Sequence, residues 1–101
     1  MKTPAACADI QDIRDAVNEF DRRIIELLGE RTKYVHEAVR FKSSEADIRV
    51  PGHIPALLEQ RRRWAQQYGV DADFVERVYR ILTDHSFDVQ VALWQRKAGA
   101  A

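Results

Sequence analysis

One cysteine, Cys7, in a chain of 101 residues cannot close an internal disulfide, so packing alone must hold this protein together. No apolar run approaches the length of a signal-peptide core or a membrane span, which, with the lone thiol, leads us to expect a soluble protein of the cytoplasm. Sixteen Lys and Arg balance sixteen Asp and Glu, so no excess charge calls for a nucleic-acid or membrane partner. The alternating pattern of a β-strand appears nowhere, and neither do repeats or low-complexity tracts. Familiar catalytic and metal motifs are missing as well. His36, His53 and His85 have neither helical metal spacing nor cysteine partners, which argues against zinc. Asp84, His85 and Ser86 spell a hydrolase triad in order, but consecutive helical residues project about 100° apart and cannot form a relay. Cys7 sits in an N-terminal segment, Met1 to Ala8, expected to fray, and reads as a spare thiol.

What is present is helical. With 46% apolar residues, the chain suits one domain, residues 1–101, with a modest core. Asp9 is a plausible N-cap, and Ile13, Val17, Phe20, Ile24, Leu27, Val35 and Ala38 then recur at spacings that predict one long amphipathic helix reaching Phe41. Ser43, Ser44, Asp47, Pro51 and Gly52 give Lys42 to His53 the composition of a loop long enough to move, and residues 43–50 are expected to be poorly ordered without ligand. A second helix is predicted from near Ile54, with Pro55 in its first turn, to Tyr68, where Gly69 stops it. Asp71 caps a third, whose apolar stripe is Phe74, Val78, Ile81 or Leu82, His85, Val89 and Leu93, and which is expected to end near Arg96. The fold class is therefore all-α, with three helices that run long, short, long.

Arg31 interrupts the first helix's apolar stripe. A guanidinium cannot shed its charge, so on a packing face it needs an anion unless it snorkels past the edge. Lys42 lies eleven residues on, three turns with about 20° of drift, and shares that face. Two cations along one stripe call for buried carboxylates or a small anionic ligand. A helix of about thirty-three residues is about 50 Å long, far beyond the radius of gyration near 13 Å of a compact monomer this size. The far end of its stripe needs a second copy, which predicts an intertwined homodimer. Arg14 lies seventeen residues before Arg31, turned about 100° away, so it cannot share Arg31's ligand within one chain; across a two-fold it could reach the other copy's site, and taken alone it reads as a solvated surface charge.

On the third helix Ser86 and Gln90 stand four apart beside Thr83 and Phe87, offering neutral donors and acceptors; an interhelical hydrogen bond would explain them equally. Arg61, Arg62 and Arg63 spread over most of a turn, and with Glu59 and Glu76 nearby they read as a solvated helix face.

The order Arg14, Arg31, Lys42, a loop, a short helix and then Gln90 resembles the all-helical chorismate mutase family over essentially the full chain. Within it, Met1-Lys2-Thr3-Pro4, Asp12-Ile13-Arg14, Arg40-Phe41-Lys42-Ser43-Ser44-Glu45-Ala46 and the tail from Trp94 to Ala101 are similar to the isochorismate pyruvate lyases that make salicylate for siderophores. The resemblance implies that Arg31 and the other copy's Arg14 hold two substrate carboxylates. Lys42 would close with its loop over the ether oxygen, and Gln90 would hydrogen-bond that oxygen. It implies an apolar wall of Val35, Ile54, Leu57 and Phe87 that excludes water, with Ser86 and His53 also at the substrate.

The implied reaction converts a small dianion, isochorismate, to salicylate and pyruvate by pericyclic elimination, without metal, cofactor or covalent nucleophile. The protein's part is to fold the substrate and place cations where charge grows on the departing oxygen. Family mutases carry a glutamate where this chain has Ile54, which favours lyase over mutase, with weak chorismate turnover as a side activity. Ser86 resembles the mutase pattern instead, and His53 stands where the family usually has Arg, which makes one contact pH-sensitive. Chorismate mutase is the alternative reading. A non-catalytic dimeric helical module, its Arg31 met by a carboxylate of the other copy, is a third.

Overall fold

The computed structural model describes residues 2–50 and 52–100. Met1, Pro51 and Ala101, expected in the N-terminal segment, the loop and the C-terminal tail, lie outside the described residues. The chain is all-α: helices α1 (Ile10–Glu37), α2 (His53–Gln67) and α3 (Ala72–Ala100), with 3-10 turns at Pro4–Ala6, Ala38–Phe41 and Glu45–Asp47. It divides into two compact units, Met1–Tyr34 and Val35–Ala101, the division falling inside α1.

In the first unit Asp9 caps α1 as its position predicts, its Oδ1 accepting the Asp12 backbone N–H at 2.9 Å. The preceding segment is tied down rather than frayed. Asp12 Oδ2 accepts the Ala8 backbone N–H and the Lys2 ammonium, both at 2.9 Å, and these bonds, Ala8's foremost, hold the carboxyl below its usual pKa. Glu19 and Glu26 grip Arg22 from one turn on either side, at 2.7 and 2.9 Å. The apolar stripe stands bare, with Val17, Phe20, Ile24 and Leu27 each more than half exposed.

The second unit holds the core: Val39, Ile48, Leu58 and Ala65 are buried. After Glu37 the helix tightens into the Ala38–Phe41 3-10 turn, a common way for a helix end to satisfy its last carbonyls, so the helical path reaches Phe41 as predicted but changes type four residues earlier. The expected loose loop is also organised, since it forms the Glu45–Asp47 turn and buries Ile48, an apolar anchor its polar composition concealed. α2 packs against α3. It starts at His53, one residue before the expected Ile54, and ends where Gly69 takes φ +70°, a left-handed conformation open to glycine at little cost, while the Val70 N–H returns to the Ala65 carbonyl at 2.8 Å.

Asp71 caps α3, accepting the backbone N–H groups of Asp73 and Phe74 at 2.9 and 3.3 Å. The helix continues past Arg96 to Ala100, because Lys97 and Ala98 are strong helix formers and only Gly99 opposes them. Its buried face is not the expected one. Of the expected stripe Phe74, Val78, Ile81 and His85 are exposed and Leu82, Val89 and Leu93 half-buried, whereas Thr83, Ser86 and Gln90 are buried. α3 carries apolar residues around more than one side, so its periodicity does not single out the seam, and the buried line lies about one residue, or 100°, further round. Arg61 departs from the solvated reading too: its guanidinium lies over the rings of Trp64 and Tyr79, 5.0 and 5.4 Å from their centroids. Arg62 pairs with Asp73 at 2.9 Å and approaches Glu76 at 3.7 Å.

Asp71→Ala removes both cap bonds and is expected to cost about 1 kcal/mol. For a domain this size that is a fall in Tm of roughly 4 to 8 °C, with Asp71→Ser recovering most of it. An unchanged melting temperature would show the cap to be dispensable.

Candidate functional site

Within the second unit the residues singled out from sequence gather around α3. Gln90, two turns beyond Thr83 and within about 20° of it around the helix, donates from Nε2 to the Val35 carbonyl at 2.9 Å. Val35 lies two residues before the end of α1, so this bond ties the last turn of that helix to α3, and the same amide nitrogen carries a second N–H that can donate elsewhere. Ser86 donates to the Leu82 carbonyl of its own helix at 2.8 Å. Thr83, Ser86 and Gln90 are the buried polar residues among those described, and all three lie on one line of α3.

Lys42 follows the 3-10 turn that extends α1. It is half-buried, and its Nζ donates to the Asp47 carbonyl at 3.2 Å, a structural partner that the sequence did not suggest. Asp47 closes this turn: its Oδ2 accepts the Ser43 backbone N–H at 2.9 Å and, through a very short contact, the Ser43 hydroxyl. The Ser43 hydroxyl foremost, then the Ser43 N–H, with the Lys42 charge adding to them, hold the Asp47 carboxyl below the ordinary carboxylate range. Two further contacts fasten the segment to α3. Arg49 pairs with Asp88 and lies 5.5 Å from the Phe87 ring centroid, and Gln95 Nε2 donates to Glu45 Oε1 at 2.6 Å. An ion pair between exposed groups is worth about 0 to 1 kcal/mol, but several together hold one short segment in one conformation.

Val35, Ile54, Leu57 and Phe87, the expected apolar wall, are all half-buried. Ile54 also borders a cavity of about 300 Å³ between α2 and α3, whose other lining residues include Leu58, Glu59, Arg62, Glu76 and Arg80, so charged side chains lie beside this member of the expected wall. His53 is exposed at the first position of α2. Arg14 and Arg31 belong to the first unit, where Arg14 is exposed and Arg31 half-buried. Sequence reasoning missed Asp47, Arg49 and Asp88. The four-residue interval from Ser43 to Asp47 was a legible turn signal; nothing local announced that Arg49 meets Asp88, thirty-nine residues away.

Three helices, with no strand among the described residues, make this an all-helical protein. Residues 13–91 match the family model of chorismate mutase type II, and the chain belongs to that family. It is 42% identical to the isochorismate pyruvate lyase of Pseudomonas aeruginosa over 101 residues, covering the whole of both chains. It is also 31% identical over 81 residues to the T-protein of Enterobacter agglomerans, covering 79% of this chain and 22% of that one. The T-protein of Haemophilus influenzae is 29% identical over 79 residues, or 77% of this chain and 21% of its own. Among the described residues no helix is long and apolar enough to cross a membrane.

Because Asp47 is held ionised by Ser43, the turn before α2 is fully formed above the usual carboxylate pKa and is lost as pH falls through the depressed one. The Ser43 amide resonance should therefore report a titration below the ordinary range for aspartate. Asp47→Ala should abolish that step and hasten protease cleavage within residues 43–50. A midpoint at the ordinary value would contradict the arrangement.

Proposed function

We propose that this protein is an isochorismate pyruvate lyase. One observation carries the reading: identity to an enzyme of that name spans both complete chains. It favours an enzyme over a non-catalytic helical module. Ile54, in the position where the resemblance places a mutase glutamate, favours elimination over rearrangement. In the reaction the ring carbon–oxygen bond breaks as a ring hydrogen moves to the enolpyruvyl methylene, so that pyruvate leaves and the ring becomes aromatic. No electrons enter or depart.

Negative charge grows on the departing oxygen, and the protein's task is to meet it. Lys42 is the cation for that oxygen, and the Gln90 amide supplies a directed hydrogen bond to it. Arg31 and, from a second copy, Arg14 hold the two carboxylates, for which a planar guanidinium fork is suited. Ser86 and His53 serve as further polar contacts, while Val35, Ile54, Leu57 and Phe87 keep water from the reacting bond. The whole chain forms one functional domain of a homodimer, whose second copy covers the bare stripe of α1. The reading also puts the enzyme in the cytoplasm, with which its single thiol is consistent. Weak chorismate mutase activity accompanies the lyase, a second reading favoured by the family match itself.

Salicylate fluorescence from isochorismate, measured beside prephenate from chorismate, tests the assignment. Wild-type kcat/KM should favour isochorismate strongly, whereas a preference for chorismate would make the protein a mutase. Lys42→Ala should lower kcat by about 10² to 10³ with little change in Tm, because it loses one part-buried hydrogen bond to Asp47, worth about 1 kcal/mol. Light scattering at micromolar concentration should give about twice 11.7 kDa. A stable, folded monomer would remove the trans role of Arg14.

A further inference from the structure

Thr83 Oγ1 is buried without a hydrogen-bond partner, in a residue only 5% exposed. The chain elsewhere shows how a helical hydroxyl is ordinarily satisfied: Thr32 Oγ1 donates to the Leu28 carbonyl at 2.7 Å, and Ser86 does the same to Leu82 at 2.8 Å. The Tyr79 carbonyl lies one turn before Thr83 and offers the same bond, yet the hydroxyl does not take it. Arg61 Nε is the other buried side-chain polar atom without a partner among the described residues, but its guanidinium is compensated by the faces of Trp64 and Tyr79. Thr83 has no such compensation. A buried hydroxyl left unpaired costs about 1 to 3 kcal/mol, whereas valine has the same shape and would carry no such cost.

Where the hydroxyl lies gives it a purpose. Thr83, Ser86 and Gln90 stand at i, i+3 and i+7 on α3, with Thr83 and Gln90 within about 20° of one another. They are the buried polar line of this unit, and Gln90 is assigned to the substrate above. We infer that Thr83 contacts substrate, its hydroxyl hydrogen-bonding an oxygen of the small, oxygen-rich dianion and taking part in the choice between isomers that differ in where a hydroxyl sits. This rests on the proposed activity for the substrate's identity, but not for the ligand-facing role of the side chain. A site that hydrogen-bonds one substrate oxygen discriminates strongly, because the wrong isomer leaves the buried group unpaired.

Thr83→Val and Thr83→Ser test this against the wild type, by melting with and without added salicylate and by kcat/KM on isochorismate and chorismate. The valine variant, free of ligand, should melt no lower than wild type, yet lose about tenfold or more in kcat/KM on the preferred substrate and respond less to salicylate. Serine should restore most of both. A valine variant with higher Tm and undiminished kcat/KM would show the hydroxyl to be an idle packing defect and overturn the inference, as would joint loss of stability and activity that serine does not recover. If the wild type turns over neither substrate, the lyase reading falls by itself. Thr83 is then judged on salicylate alone: stabilisation present in wild type and absent in valine supports the contact, and an equal shift or none in both overturns it.

Discussion

The hydrogen bond from Gln90 to the Val35 carbonyl ties the end of α1 to the buried line of α3, and the arrangement of the second unit depends on it. A helix end leaves carbonyls without intrahelical partners, and a buried one must be met. Gln90 meets one with a side chain long enough to cross from another helix, and so ties the last turn of α1 to α3. The 3-10 turn Ala38–Phe41 then delivers Lys42 at a set distance from that anchor, with Val39 buried beneath it. One polar contact between helices thus lies seven residues before Lys42.

Charge completes what packing begins. The Lys42 ammonium reaches the Asp47 carbonyl, Asp47 is held ionised by Ser43, and Arg49 and Glu45 reach across to Asp88 and Gln95 on α3. Apart from the part-buried Lys42 bond each contact is exposed and individually weak, and Ile48 is the apolar pin that gives the group a fixed base. Such a segment has one defined conformation but little buried surface to hold it there. The polar line Thr83, Ser86, Gln90 follows the opposite logic. It places two hydroxyls and an amide in the interior, where Ser86 and Gln90 find backbone carbonyls and Thr83 finds no partner.

Much of this was legible in the residues alone. Period and punctuation placed three helices, and Asp9, Gly69 and Asp71 mark their ends because caps and left-handed turns are local, set by a few neighbouring backbone groups. Lys42 and Gln90 stood out because charged and amide side chains on apolar faces are conspicuous in one dimension. The buried side of α3 was not legible, because apolar residues surround that helix and only its packing against α2 decides which of them face inward. Nor was the order of residues 43–50, which depends on burying Ile48 and on Arg49 finding Asp88 through the fold. Local hydrogen bonds are written in adjacent residues, whereas a pairing across thirty-nine positions exists only after the helices have packed and brought the two charges together. The unpaired hydroxyl of Thr83 belongs to this second kind, since threonine reads as an ordinary helix residue until burial removes the water that would have satisfied it.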